Sequence, residues 1–472
     1  MTQPVSLPFW LFIILCILAG LAVLERLLIP SIRWFFRRKV KEVIHQLNDR
    51  LQIEIQPFKL TRRQSLIDRL VYDARVIEAA EKRANEEGCS REAVLDEVKV
   101  YAREIVPAFN AYIYFRFGYW LSKKIARTLY RVRLGFSDDE ALSKIAPNST
   151  VIFVMNHRSN MDYILVTFFA ASRTALSYAV GEWARVWPLQ TLIRSLGAYF
   201  VRRRSGNNLY RKVLERYVQI ATAEGVTQAV FPEGGLSRDG KMQQPKLGLL
   251  DYLLRDYDPN GARDLVFIPV GVNYDRSLED RTLLLDIQDA PKPRLGFTVR
   301  NTAKFAAHHF GLMLRGHWFR FGYACVNFGA PISMKNYLTT HNLDLRRMEK
   351  TSRFKHVRVL ADQLMTDVAQ MTPVLPVPLM ATVFLQAEDE WLDALELKRM
   401  AGNLIRELEA RNAHIYIPRE DRDYAISVGL RMLELRRLIE KREGLYQRKE
   451  DQRHMLEYYA NSLLPFKSDY EA

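Results

Sequence analysis

A histidine met at the end of an apolar run, with an aspartate five residues later, is a pairing suited to moving a proton. It stands in Val151-Ile152-Phe153-Val154-Met155-Asn156-His157-Arg158-Ser159-Asn160-Met161-Asp162. The run reads as a buried strand. A neutral imidazole at its carboxyl end can take a proton from an incoming hydroxyl, and a nearby carboxylate would fix the tautomer and stabilise the imidazolium. A helix opened by Ser159 or Asn160 would bring Asp162 back beside His157 within one turn.

Three further polar stretches follow strand-like runs. After Ala198–Val201 comes Arg202-Arg203-Arg204, whose forked donors suit a phosphate dianion, although a solvated charge run reads the same way. After Gln228–Phe231 comes Pro232-Glu233-Gly234-Gly235-Leu236-Ser237-Arg238, where glycines permit close approach to a ligand and Glu233 and Arg238 bring opposite charges to one turn. Pro269, inside the run Val266–Val270, either shapes a pocket wall or marks a sheet edge.

These stretches lie in a region of short apolar runs alternating with helical ones, from about 150 to 332, which predicts an α/β fold with its polar groups where strands give way to loops. Residues 61–133 read as successive helices. The last, Phe109 to Arg133, is rich in aromatics and cations and suits either a core or an anionic membrane surface. Beyond 334 the chain turns helical again. Leu397, Leu404, Ile405 and Leu408 trace one face of a long helix, and 425–442 and 446–464 suggest two more.

The first 24 residues carry no charge, and Pro8–Leu24 is almost wholly apolar with a further apolar turn to Ile29, about enough to span a 30 Å bilayer core. Arg26, Arg33, Arg37, Arg38, Lys39 and Lys41 all follow it, which predicts a single-pass anchor with the remainder on the cytoplasmic side. The chain has 472 residues and a net charge of +15, pointing to an anionic partner, yet it contains no recognisable nucleic-acid module. Cys16, Cys89 and Cys325 are scattered, which argues against a disulfide framework or a zinc site and fits a reducing compartment.

The order of these stretches resembles the membrane glycerol-3-phosphate acyltransferases of the bacterial PlsB type. HRSNMDY at 157–163 looks like the first block of that family, and GAYFVRR at 197–203 with LYRKVLERYV at 209–218 like the second. FPEGGLSRDGK at 231–241 with PKLGLL at 245–250 is similar to the third, and IPVGVNYDR at 268–276 to the fourth. Leu236 stands where the family usually has an arginine. Phe-Pro-Glu-Gly also looks like the lysophosphatidate acyltransferases, and the N-terminal span is atypical.

The resemblance implies an α/β acyltransferase core with a mixed sheet and flanking helices, preceded and followed by helical regions. The corresponding division is anchor 1–30, helical region 31–135, acyltransferase domain 136–333 and helical region 334–472. It implies acyl transfer from an acyl thioester, acyl-CoA or acyl-carrier protein, to the sn-1 hydroxyl of glycerol 3-phosphate at the cytoplasmic face of the inner membrane. Lysophosphatidate is the alternative acceptor, and an inactive lipid-binding protein the alternative class. In this reading His157 is the general base and Asp162 orients it. Arg202, Arg203, Arg238 and Lys246 hold phosphate, Glu233, Gly234 and Ser237 form the acceptor pocket, and Pro269 lines the donor side. No metal or cofactor is implied.

Overall fold

The computed structural model describes residues 56–170, 174–181, 189–202, 206–287 and 320–467. The expected anchor at 1–30 and Arg203 lie outside them. Among the described residues no helix is long and apolar enough to cross a membrane.

Eight strands form one mixed sheet: β1 (Arg131–Ser137), β2 (Thr150–Met155), β3 (Ser177–Val180), β4 (Tyr199–Phe200), β5 (Gln228–Val230), β6 (Leu265–Tyr274), β7 (Tyr323–Phe328) and β8 (Ile332–Ser333). Their order is β1-β7-β6-β2-β5-β3-β4, with β8 on β6. Strands β6, β2, β5, β3 and β4 run parallel, whereas β7 is antiparallel to β6 and carries β1 parallel to itself. All six residues of β2 and all ten of β6 are buried, so the centre of the sheet is covered on both faces and its strands read as continuous apolar runs. On one face, Ile152, Val154 and Phe267 join the core of helices Arg63–Val71, Ala74–Glu87, Arg91–Ile105, Asn208–Ala223, Leu247–Leu254 and Lys350–Gln370.

A second core lies in the C-terminal region around helix Pro376–Gln386. Prolines 376 and 378 do not disrupt this helix because both lie in its first turn, where the N–H groups have no intrahelical acceptor. The apolar face of helix Ala394–Ala410 is buried through Leu397, Ala401, Leu404, Ile405 and Leu408.

Three expectations need correction. The basic–aromatic helix ends at Leu129, and Arg131 and Arg133 belong to β1. As an edge strand β1 is mostly exposed; Val132, Leu134 and Phe136 do alternate with polar or small residues, but they follow the basic–aromatic helix without a break. The stretch 425–442 is a helix only to Leu435. A hairpin follows, β9 (Ile439–Arg442) and β10 (Leu445–Arg448). It turns through Glu443 and Gly444, both at positive φ, the geometry that suits the twist of a two-residue hairpin. Last, Pro269 marks neither edge nor wall but lies inside the central strand β6. Its carbonyl accepts the Gly329 N–H at 2.9 Å, where the chain is already leaving β7, so no ladder partner needs the N–H that proline lacks.

Candidate active site

Strand β2 ends at Met155, and Asn156 closes its pairing with β6. The Asn156 amide donates to the Val272 carbonyl and accepts the Val272 N–H, both at 2.8 Å. This side chain replaces a backbone rung, so the main chain can turn away and present His157. The turn is completed by Asp162 in the first turn of helix Met161–Ala170, as the spacing predicts. Its Oδ2 lies 2.9 Å from His157 Nδ1 and accepts the Arg158 and Ser159 N–H groups at 2.8 and 3.1 Å. Its Oδ1 accepts the Tyr274 hydroxyl at 2.6 Å. A carboxylate with four partners in a fully buried setting holds one orientation, and it keeps the proton of a neutral imidazole on Nδ1. The other ring nitrogen, Nε2, is buried and has no hydrogen-bond partner among the described residues.

His157 is one wall of a cavity of about 270 Å³. Its ring packs on Phe231 at 4.3 Å between centroids and edge-on to Tyr163 at 5.4 Å. Apolar side chains of Val180, Val201, Leu214 and Val230 line the interior, while Arg202, Arg211 and Lys246 supply charge. An aliphatic pocket with a base on one wall and cations on its lining can hold an amphiphile with an anionic group beside the atom that accepts a proton.

The remaining predicted residues divide by position. Gly234 lines the cavity at φ 67°, a left-handed conformation that glycine adopts without strain, and a Cβ there would meet the flexible Lys246 chain at 2.8 Å. Lys246 is exposed on the cavity lining. Arg202 lines the cavity too, but its guanidinium grips Glu104 of helix Arg91–Ile105 through two bonds of 2.9 and 2.7 Å and lies over the rings of Tyr101 and Tyr210. Glu233 turns inward. Its two oxygens accept the His157 N–H at 2.7 Å and the Gln243 N–H at 2.9 Å. Burial pushes its carboxyl up to about 7, against the downward pull of those two N–H groups. Ser237 is also turned in, donating to the Lys241 carbonyl at 2.7 Å, with its own N–H on the His157 carbonyl at 2.8 Å. Thus Glu233 and Ser237 hold the His157 peptide from both sides. Arg238 is exposed and off the cavity lining, and Pro269 is buried in the sheet.

Residue-by-residue reading missed Tyr274, Glu279 and Glu104. Tyr274 stands in the fourth block, so its signal was present. Glu279 accepts the Ser159 hydroxyl at 2.7 Å and the Asn160 side-chain amide at 3.0 Å, bracing the turn between His157 and Asp162. Neither acid carries a spacing signal. The C-terminal region braces the same loops. Gly240 sits so close to the Tyr458 carbonyl that no Cβ fits, Asn461 donates to the Asp239 carbonyl at 2.8 Å, and Asp280 is held by Arg436 and Tyr459.

Residues 136–273 match the family profile described as Acyltransferase, and residues 312–466 match the one described as Glycerol-3-phosphate acyltransferase C-terminal region. The resemblance read from the four blocks is borne out. The acyltransferase profile contains His157, Asp162 and the cavity, and the C-terminal profile contains the segments that brace them. A glycerol-3-phosphate acyltransferase of Pseudomonas savastanoi pv. phaseolicola is 28% identical over 377 residues, covering 77% of this chain and 43% of that protein. One from Pseudomonas fluorescens is 29% identical over 353 residues, covering 72% and 40%. The chain therefore spans less than half the length of these relatives. Among solved structures, the 1-acyl-sn-glycerophosphate acyltransferase PlsC of Thermotoga maritima aligns with 20% identity and a TM-score of 0.30, over 53% of this chain and 79% of that one.

Proposed function

We propose that the chain transfers a fatty acyl group from an acyl thioester, acyl-CoA or acyl-carrier protein, to the sn-1 hydroxyl of glycerol 3-phosphate. The observation that carries this reading is His157, which lines a cavity with aliphatic and cationic side chains and whose buried Nε2 has no hydrogen-bond partner among the described residues. Nε2 takes the hydroxyl proton as oxygen attacks the thioester carbonyl, Asp162 stabilises the imidazolium, and the C–S bond breaks as the tetrahedral intermediate collapses. The imidazolium returns the proton to the departing thiolate. A thioester is already activated, so alignment and charge stabilisation suffice without a covalent enzyme intermediate.

Leu236 and the Phe-Pro-Glu-Gly sequence favour lysophosphatidate as the second candidate acceptor. Purified protein assayed with one labelled acyl-CoA and either acceptor separates the two. Higher kcat/KM with lysophosphatidate would reverse the assignment, and no turnover with either would support an inactive lipid-binding protein.

The reading includes attachment to the cytoplasmic face of the inner membrane through residues 8–29. A second contact is proposed along the helical stretch that ends at Leu129. There Tyr112, Phe117 and Trp120 are 39, 45 and 57% exposed, and Arg116, Lys124 and Arg127 are exposed beside them. Aromatic rings and cations on one helical surface suit an anionic leaflet. Deleting residues 1–30 should weaken membrane attachment and leave a salt-sensitive remainder. Protease access to residues beyond 41 from the outer side of intact spheroplasts would overturn the orientation.

A further inference from the structure

Three carboxylates surround the His157 turn: Asp162 on helix Met161–Ala170, Glu233 on loop 231–241 and Glu279 beyond β6. Each is held by N–H or O–H groups, and none makes an ion pair with a lysine or arginine among the described residues. Arg158, the residue after His157, is a cation in the converse position. Its side chain is buried, with 4% of the residue exposed. Nη2 donates to the Gly240 carbonyl at 2.7 Å, Nε is buried without a partner, and the guanidinium makes no ion pair among the described residues. A buried charge is costly unless something compensates it. Glu233 does so at longer range. Burial pushes its carboxyl up, whereas the His157 and Gln243 N–H groups and then the Arg158 charge draw it back, and the Asp162 charge adds to the rise.

The same residue joins two elements. Its N–H donates to Asp162 at 2.8 Å and its side chain reaches Gly240, so the carboxylate that orients the base is tied to loop 231–241. That loop holds the His157 peptide in return, through Glu233 on its N–H and the Ser237 N–H on its carbonyl. The Tyr458 carbonyl abuts Gly240 too closely for a Cβ, so the carbonyl that Arg158 grips belongs to a loop already packed against the C-terminal region.

We propose that Arg158 is a positioning residue for the acyl transfer, clamping loop 231–241 onto the His157 turn and supplying the positive charge that the buried Glu233 carboxylate otherwise lacks. This rests on the acyl-transfer reading and deepens it. An ionised Glu233 is the stronger acceptor for the His157 N–H, so the charge on Arg158 helps to hold the peptide that carries the base. The other charged or titratable groups around the pair are the His157 imidazole and Asp162 on the turn, Glu279 and Asp280 after β6, and Tyr458 on the C-terminal helix. Arg238, Asp239 and Lys241 stand on the loop itself, and none of these three is fully buried.

Arg158→Gln and Arg158→Lys separate the two tasks. Glutamine keeps a donor for the Gly240 carbonyl and loses the charge, whereas lysine keeps the charge and loses the planar fork. Removing a nearby positive charge raises the pKa of a carboxyl. The stability that Glu233 contributes is lost as pH rises through its folded value of about 7, so in Arg158→Gln that loss should come at higher pH, by about one unit. Denaturant midpoints of the full chain in detergent micelles, taken across neutral pH, read this without turnover. In turnover the acidic limb of the kcat profile should also move to higher pH, because the lost charge had favoured both an ionised Glu233 and a neutral His157. KM for acceptor and donor should stay within about twofold. Arg158→Lys should bring both limbs back toward wild type, and Arg158→Met serves as the neutral variant if Arg158→Gln does not fold. A merely structural Arg158 would lower the melting temperature in every variant and leave both limbs in place, which would overturn the proposal. So would a stability limb that moves equally when Glu233→Gln is already present, since the charge would then act on another group. Failure of the acyl-transfer reading would look different: wild-type protein would acylate neither acceptor, while the stability limb still moved in Arg158→Gln.

Discussion

Two regions beside the cavity contrast. Around His157 nearly every polar atom is matched: Asp162 has four partners, Glu233 two and Glu279 three. Around Lys246 the donors outnumber the acceptors, with a helix start left uncapped. Buried polar groups are costly unless paired, so the matched region describes what the fold holds still. The unmatched region, together with Nε2, describes what the fold leaves for a ligand. Substitutions in the matched region should therefore lower turnover or shift its pH dependence. Those in the unmatched region should change substrate affinity.

The largest effect expected is that of His157→Ala. Removing the proton acceptor should lower turnover by about 10²–10⁴-fold, with melting temperature and phosphate affinity little changed. A variant retaining more than about a tenth of wild-type turnover would remove the base from His157 and erase the distinction between the two regions.

Tyr274→Phe comes next. The substitution keeps the ring but leaves Asp162 Oδ1 buried with one donor fewer. A hydrogen bond to a charged group is worth about 1.5–3 kcal/mol, so a loss of roughly ten- to hundredfold in kcat is expected. Unchanged kcat would mean that the Tyr274 bond does not orient the pair.

How much of this was legible in the sequence follows the range of the interactions involved. The His157–Asp162 pair spans five residues, so strand, turn and one helical turn are enough to predict its geometry. The central strands were legible for a similar reason: burial on both faces leaves an apolar run with abrupt ends. Glu233 was read as a pocket residue, together with Gly234, from the likeness of FPEGGLSRDGK to the family's third block. Its side chain instead turns back to the His157 peptide, 76 residues earlier in the chain, which no local pattern encodes. Arg202 likewise advertises a phosphate site until Glu104, from another helix, appears on its fork. The β9–β10 hairpin stayed hidden because short exposed, polar strands carry little hydrophobic alternation, whereas β1 does alternate at Val132, Leu134 and Phe136 but runs on directly from the basic–aromatic helix.

Glu233 gives a pH test of the matched region. Its folded carboxyl is raised from the ordinary value of 4.5 to about 7. Its contribution to stability is therefore fully present below about pH 4.5 and is lost as pH rises through about 7. Wild-type protein should lose on the order of 3 kcal/mol from this group across that window, and Glu233→Gln should flatten this part of the stability profile. Activity should run the other way, since the ionised carboxylate is the better acceptor for the His157 and Gln243 N–H groups. Denaturant titrations of both proteins at several pH values check the sign. An identical slope in the two would place the relevant titration elsewhere.

The smallest effect expected is that of Arg202→Lys, and it is the most discriminating between the two regions. Lysine keeps the charge but not the planar fork, so one of the two bonds to Glu104 is lost and the stacking on Tyr101 and Tyr210 weakens. Arg202 is 33% exposed on its side chain, so solvent screens part of the pair, and a cost of about 1 kcal/mol in stability is reasonable. If Arg202 is a strut, the KM for glycerol 3-phosphate should rise by no more than about twofold, in step with that loss, and phosphate affinity should hold. A strut also predicts that Glu104→Gln mimics Arg202→Lys, because both loosen the same joint. If Arg202 instead binds the phosphate directly, Arg202→Lys should raise the acceptor KM well beyond its effect on stability, and Glu104→Gln, which frees the fork, should lower it. Opposite signs for Glu104→Gln therefore separate the two roles, and the second would move Arg202 to the unmatched region.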